Sequence, residues 1–205
     1  VDEVRSFADA KFAAWVKPFL SINEYSEEVV LGVRVPILRR LAKKYSNISH
    51  TDLERFLRSE IHEIRELAIF IMILRVKKEP EKICKMYLSN LEYINNWDLI
   101  DYSAPHIVAP NVSEDVLRSL AKEDYLWANR VAMVATIYHI KQNNYALAIE
   151  FAEMYINFLC EPDIAYANTW YVGYSTPNSG AYEKLDEDII NDGISYPDDN
   201  YLSEN

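Results

Sequence analysis

Glycine is nearly absent from this chain: there are four in 205 residues, and only Gly32 precedes residue 173. Hairpins use glycine for backbone angles closed to other residues, so strand-and-hairpin architectures are excluded over most of the sequence. Cysteine is equally scarce. Cys84 and Cys160 form neither a C-x-x-C pair nor a disulfide framework, which fits a reducing compartment. Long apolar runs are also missing. The densest, Leu67 to Leu74, covers eight residues, far fewer than the roughly 20 that cross a bilayer. The opening VDEVRSFADAKFAAWV lacks the basic-then-apolar order of a signal peptide. Together these absences predict a soluble, cytoplasmic (intracellular) helical protein with no membrane partner.

The signatures of several chemistries are missing as well. No G-x-x-x-x-G-K-[ST] or G-x-G-x-x-G is present, so no phosphate-cradling loop is indicated. The histidines at 50, 62, 106 and 139 show no H-E-x-x-H or comparable spacing, so neither zinc nor another metal or cofactor is expected. There is no G-x-S-x-G nucleophile elbow.

What is present is acid, unevenly placed. The formal net charge is -11, but residues 178–205 hold eight acids against Lys184 alone. The rest of the chain carries basic clusters at Arg34-Arg39-Arg40-Lys43-Lys44 and Arg75-Lys77-Lys78-Lys82-Lys85. The sequence therefore divides into a helical body over 1–177 and an acidic C-terminal tail over 178–205. A uniformly acidic protein would repel a polyanion; a mild body with an acidic tail need not.

Helical signals follow one another along the body. Pro36 opens PILRRLAKKY, Ser49 or Thr51 caps DLERFLRS, and Ile61 to Lys78 makes a long helix. Further helices are predicted over Glu79–Leu91, Trp97–Val108 (capped by Asn95 or Asn96), and EDVLRSLAK behind Ser113. YLWANRVAMVATIYHIKQ, Tyr145–Leu159, Asp163–Tyr174 and a weak Tyr182–Ile190 complete the set. His62-Glu-Ile-Arg65 and Trp127-Ala-Asn-Arg130 repeat a bulky residue three before an arginine, 65 residues apart. Two units of about 32 residues with the Trp97 helix between them suggest an all-α superhelix of HEAT-like helix pairs, whose second helices line a groove.

On those second helices lie His62, Arg65, Trp97, Asp101, Trp127 and Arg130, with Trp170 further on. Each has a bland reading. The tryptophans can be core aromatics, Asp101 and Arg130 can form a structural ion pair, and His62 with Arg65 can tie adjacent repeats together. The functional reading is that arginines meet phosphates and aromatics pack on sugars or bases. A single carboxylate can stabilise an oxocarbenium-like sugar or orient a water. That suits removal of a base that already leaves easily, such as a cationic alkylated purine, for which no general acid is needed.

Four segments carry a resemblance to a known family. LGVRVPILRRLAK (31–43), IHEIRELAIFIMI (61–73), NNWDLIDYSAPHIV (95–108) and WANRVAMVA (127–135) resemble, in order, motifs of the DNA alkylation repair family, the AlkD type of HEAT-like glycosylase. The resemblance runs from about residue 31 to 172. It implies a C-shaped solenoid, monomeric and without cofactor, that excises N3- or N7-alkylpurines from duplex DNA without drawing the base into a pocket. By motif position Asp101 is the catalytic carboxylate, Trp97 a wall against the deoxyribose, and Arg130 a ligand of the phosphate beside the lesion. Trp127 and Trp170 are groove aromatics. The chain departs from the family around Trp170, where Tyr166 and Gly173 replace an expected lysine and arginine. That departure and the net charge leave room for a non-catalytic scaffold binding DNA or a protein, or for a tail that covers the groove as a DNA mimic.

Overall fold

Buried side chains at helical spacing mark each element of the fold. In α3 (Val35–Lys44), Leu38, Leu41 and Ala42 form the inward stripe, Pro36 sits in the first turn, and Lys43 and Lys44 close the last. In α4 (His50–Leu57), Leu53 and Leu57 are buried and Ser49 Oγ caps the Asp52 N–H at 3.0 Å. Each fully buried leucine contributes about 1.5–3 kcal/mol, so these short helices hold by packing rather than by propensity. The computed structural model describes residues 1–20 and 28–159. Two units divide the chain, Val1–Met154 and Tyr155–Asn205, and the site described below lies in the first.

The remaining helices are α1 (Asp2–Arg5), α2 (Ala10–Val16), α5 (His62–Val76), α6 (Pro80–Ser89), α7 (Trp97–Asp101), α8 (Glu114–Ala121), α9 (Leu126–Ile140) and α10 (Ala146–Leu159). No β-strand occurs among the described residues; a lone parallel bridge joins Val29 to Ile61. Helix α5 is buried without interruption from His62 to Met72 and is packed by α3, α4 and α6. Helices α5, α7 and α9 touch in succession, α4 packs on α5, and α8 packs on α9. The fold is thus all-α and solenoid-like, with α5 and α9 as the second members of the pairs α4–α5 and α8–α9 and α7 touching both. No helix among the described residues is long and apolar enough to cross a membrane.

Gly32 earns its conformation. Its φ is +77°, and a Cβ there would stand 2.2 Å from the Asp9 carbonyl oxygen and 2.5 Å from the Ala13 nitrogen. The loop passes this close to α2 because the buried Glu63 carboxylate accepts the N–H groups of Leu31, Gly32 and Val33 at 2.9, 2.6 and 3.3 Å. One acid on α5 therefore anchors the entry into α3.

One predicted helix is divided. Trp97–Val108 is not continuous: α7 stops at Asp101, and a π-turn over Ala104–Val108 and a 3₁₀ turn over Ala109–Asn111 follow. Pro105 supplies no N–H and its ring excludes the carbonyl four residues back, that of Asp101. Ser103 Oγ meanwhile donates to the Leu99 carbonyl at 2.6 Å and accepts from Tyr87 Oη at 2.8 Å, drawing the chain out of register. Ser113 holds the N-cap position of α8 but makes no side-chain capping bond; Glu114 and Asp115 supply the favourable first-turn charge instead. The helices predicted at Asp163–Tyr174 and Tyr182–Ile190, the acidic tail and Trp170 lie outside the described residues.

Candidate functional site

Asn96 starts α7, accepting the Trp97 N–H at 3.0 Å. This choice of cap sets Trp97 in the first turn and Asp101 in the last. Trp97 is half-buried, and its Nε1–H donates to the Phe19 carbonyl at 2.7 Å, tying α7 to the 3₁₀ turn after α2. Phe19 and Trp15 are exposed beside that bond, their rings 5.3 Å apart.

Asp101 faces α9. Its Oδ1 accepts from Arg130 Nε at 2.9 Å and its Oδ2 from Nη2 at 2.7 Å, a two-point fork. The Asp101 side chain is 37% exposed against 14% for Arg130, so the carboxylate remains open to a ligand while the cation lies behind it. Burial pushes the Asp101 carboxyl above its ordinary value, and the Arg130 guanidinium opposes that rise. Trp127, half-buried, precedes Arg130 by one turn of α9, and its indole nitrogen makes no hydrogen bond among the described residues. Asp101 and Arg130 are thus brought together, with Trp97 and Trp127 each one turn from one of them.

His62 and Arg65 sit elsewhere. Both are buried, at 3% and 5% exposure. His62 donates Nδ1–H to Glu28 Oε1 at 2.8 Å and Nε2–H to Asp98 Oδ2 at 2.6 Å, and Arg65 pairs with Glu28. Burial works against the charge on His62, but the Asp98 and Glu28 carboxylates outweigh it and hold its pKa up at about 10. Neither residue presents a charge to a surface ligand. They join the chain at Glu28 to α5 and, through Asp98, α5 to α7. Glu66, on the next turn of α5, is only 5% exposed; burial and the Asp98 charge push its carboxyl up to about 8.

The first basic cluster is only partly a solvated face. Arg39 is half-buried with its guanidinium 5.3 Å from the Phe70 ring and 5.4 Å from the Tyr102 ring, and Arg34 lies 4.5 Å from Phe12. Lys44 bonds Glu3 at 2.7 Å. Sequence reasoning did not assign Asp98, Glu28, Glu66 or Phe19 to anything. The four-residue spacing of His62 and Glu66 was the available signal for the first group; a backbone carbonyl such as that of Phe19 leaves none.

Residues 2–158 match the family of the DNA alkylation repair enzyme. The chain belongs to that family. No curated protein and no solved structure matches it. A DNA alkylation repair enzyme acts in the repair of alkylated DNA, and the match spans every helix from α1 to α9 as well as most of α10.

Proposed function

We propose that this DNA alkylation repair enzyme is a monofunctional, AlkD-type DNA glycosylase that removes cationic N3- or N7-alkylated purines from duplex DNA. The observation that carries the reading is the Asp101 carboxylate: partly exposed, oriented by the Arg130 fork, and one turn from the half-buried Trp97.

The chemistry follows from charge. An alkylated purine leaves when the bond from C1′ to the ring nitrogen breaks and its electron pair returns to the cationic base, which departs neutral. Positive charge then builds on the sugar. A carboxylate beside that sugar stabilises the charge as it develops, and the same oxygen can accept a proton from the water that adds to C1′. Trp97 supplies an apolar wall that excludes bulk water from one side of the sugar and strengthens the attraction. Arg130 keeps Asp101 ionised and aimed; a DNA phosphate arriving at the pair shares that cation, which frees carboxylate charge for the sugar. Duplex DNA is the partner, a monomer suffices, and no cofactor enters any step.

Incubation with methylated duplex DNA tests this. Free 7-methylguanine and 3-methyladenine are expected from the wild type and not from Asp101→Asn. Failure of the folded wild type to release either base at low salt overturns the reading in favour of a non-catalytic scaffold.

A further inference from the structure

A second group of side chains, from α5 and α7, is built like a ligand set. His62 and Glu66 stand four residues apart on α5, which places them on one face of the helix. Asp98, near the start of α7, meets that face. One potential ligand atom from each of the three lies within 4.8 Å of the other two. Three donors about 2.1 Å from a single ion stand roughly 3–3.5 Å apart, so small side-chain rotations bring this trio to coordination distance.

Glu66 is the observation that turns a cluster into a site. It is 95% buried, yet among the described residues its carboxyl group makes no hydrogen bond and no ion pair. Every other buried acid nearby has protein partners: Glu63 has three backbone N–H groups, Glu28 has His62 and Arg65, and Asp98 has His62 and the Leu99 N–H. A carboxyl on a residue this buried, close to a histidine and a second acid and with no protein donor, favours a proton or a cation that neutralises it. Glu28 adds the outer support that metal-bound histidines show. It accepts the His62 Nδ1–H at 2.8 Å, which fixes the ring and leaves Nε2 as the inward-facing nitrogen.

We propose that His62, Glu66 and Asp98 form a binding site for a divalent first-row transition cation of the zinc or manganese class, held between α5 and α7. One imidazole and two carboxylates suit such an ion better than magnesium, which prefers oxygen alone. On binding, His62 gives up its Nε2 proton and the ion replaces the hydrogen bond to Asp98. Any proton on Glu66 is released as well, while Arg65 stays on Glu28. The ion cross-links two successive inner helices. Its role is structural and Asp101 is not among its ligands, so the site stands or falls independently of the glycosylase reading. Sequence spacing concealed it because only two of the three donors share a helix; the third is 32 residues further along.

Calorimetric titration of the chelator-treated full chain with ZnCl₂, MnCl₂ and MgCl₂ tests the site. The expected result is one Zn²⁺ or Mn²⁺ per chain at micromolar affinity or tighter, no heat with Mg²⁺, and protons released in proportion to bound ion. Glu66→Gln keeps the side-chain shape and breaks no bond, so it folds; it should weaken binding by at least about tenfold. Glu28→Gln should weaken it by about tenfold through the lost support of His62. Absence of binding by the wild type at about 100 µM ion overturns the proposal. So does a loss smaller than about threefold in Glu66→Gln, because the ion then sits elsewhere.

Discussion

Asp98 and Asp101 are the same residue type, three positions apart on a five-residue helix, and their surroundings differ sharply. Asp98 is 13% exposed at its side chain and meets a histidine that is 3% exposed. Asp101 is 37% exposed and meets an arginine at 14%. The helix does not make the difference; the neighbours do. Asp98 turns toward α5, the most buried helix of the unit, where a charge must be fully paired. Asp101 turns toward α9, where water still reaches the pair and a substrate can as well. One short helix thereby holds an acid that fastens the fold and an acid available for chemistry.

The largest expected effect separates the two by stability. Asp98→Ala leaves the buried, charged His62 with Glu28 as its one remaining acid partner and its Nε2–H unpaired, and should cost about 3 kcal/mol in urea unfolding. Asp101→Ala, at a wetter pair, should cost about 1 kcal/mol. Equal losses would remove the distinction. Activity should show the reverse order: Asp101→Asn is expected to reduce base release by about 10²–10³-fold, some 2.7–4 kcal/mol of transition-state stabilisation, with its melting temperature nearly unchanged. Arg130→Gln should move the acid limb of the rate profile upward, because the guanidinium now holds the Asp101 carboxyl down against burial. An unmoved limb would mean that the pair does not tune the acid.

The inward side should also register alkaline pH. His62 is held at about 10 in the folded chain against about 6.5 unfolded, so its stabilisation is complete below 6.5 and is lost as pH rises through 10. Glu66, raised to about 8, favours the fold while protonated and loses that contribution as pH rises from its ordinary range through 8. In chelator-containing buffer the melting temperature should therefore fall as pH rises from about 4.5 through 8 for Glu66 and from about 6.5 through 10 for His62. Glu66→Gln should remove the earlier part of the fall. A flat profile would show that neither proton matters to folding. The smallest effect belongs to Trp97→Phe, which keeps the aromatic wall but loses the exposed bond to the Phe19 carbonyl, about 0.5 kcal/mol by thermal unfolding.

Much of the fold is legible in residue order. The stripe Leu38-Leu41-Ala42, the proline of α3, the Ser49 cap and the apolar length of α5 each specify a helix through local geometry. Trp97–Val108 reads as a single helix in the sequence but divides in the fold: Pro105 and Ser103 lie within the segment, whereas the pull of Tyr87 on Ser103 comes from α6. At the site, the pairing of Asp101 with Arg130 was among the readings the sequence left open, since a carboxylate and a guanidinium on consecutive inner helices are natural partners. The bond from Trp97 to Phe19 was not legible, because it ends on a backbone carbonyl 78 residues away.

The sequence by itself determined the helical class and the order of the helices, because capping, proline placement and apolar period act within one or two turns. It also determined the family, through motifs that stay recognisable in linear order. Only the tertiary structure decided which acid of α7 is buried and which is exposed. It alone left Glu66 buried without a bond and set Gly32 against α2. Those outcomes depend on which helix packs against which, and burial, desolvation and ion pairing are properties of neighbours that the chain brings together from distant positions.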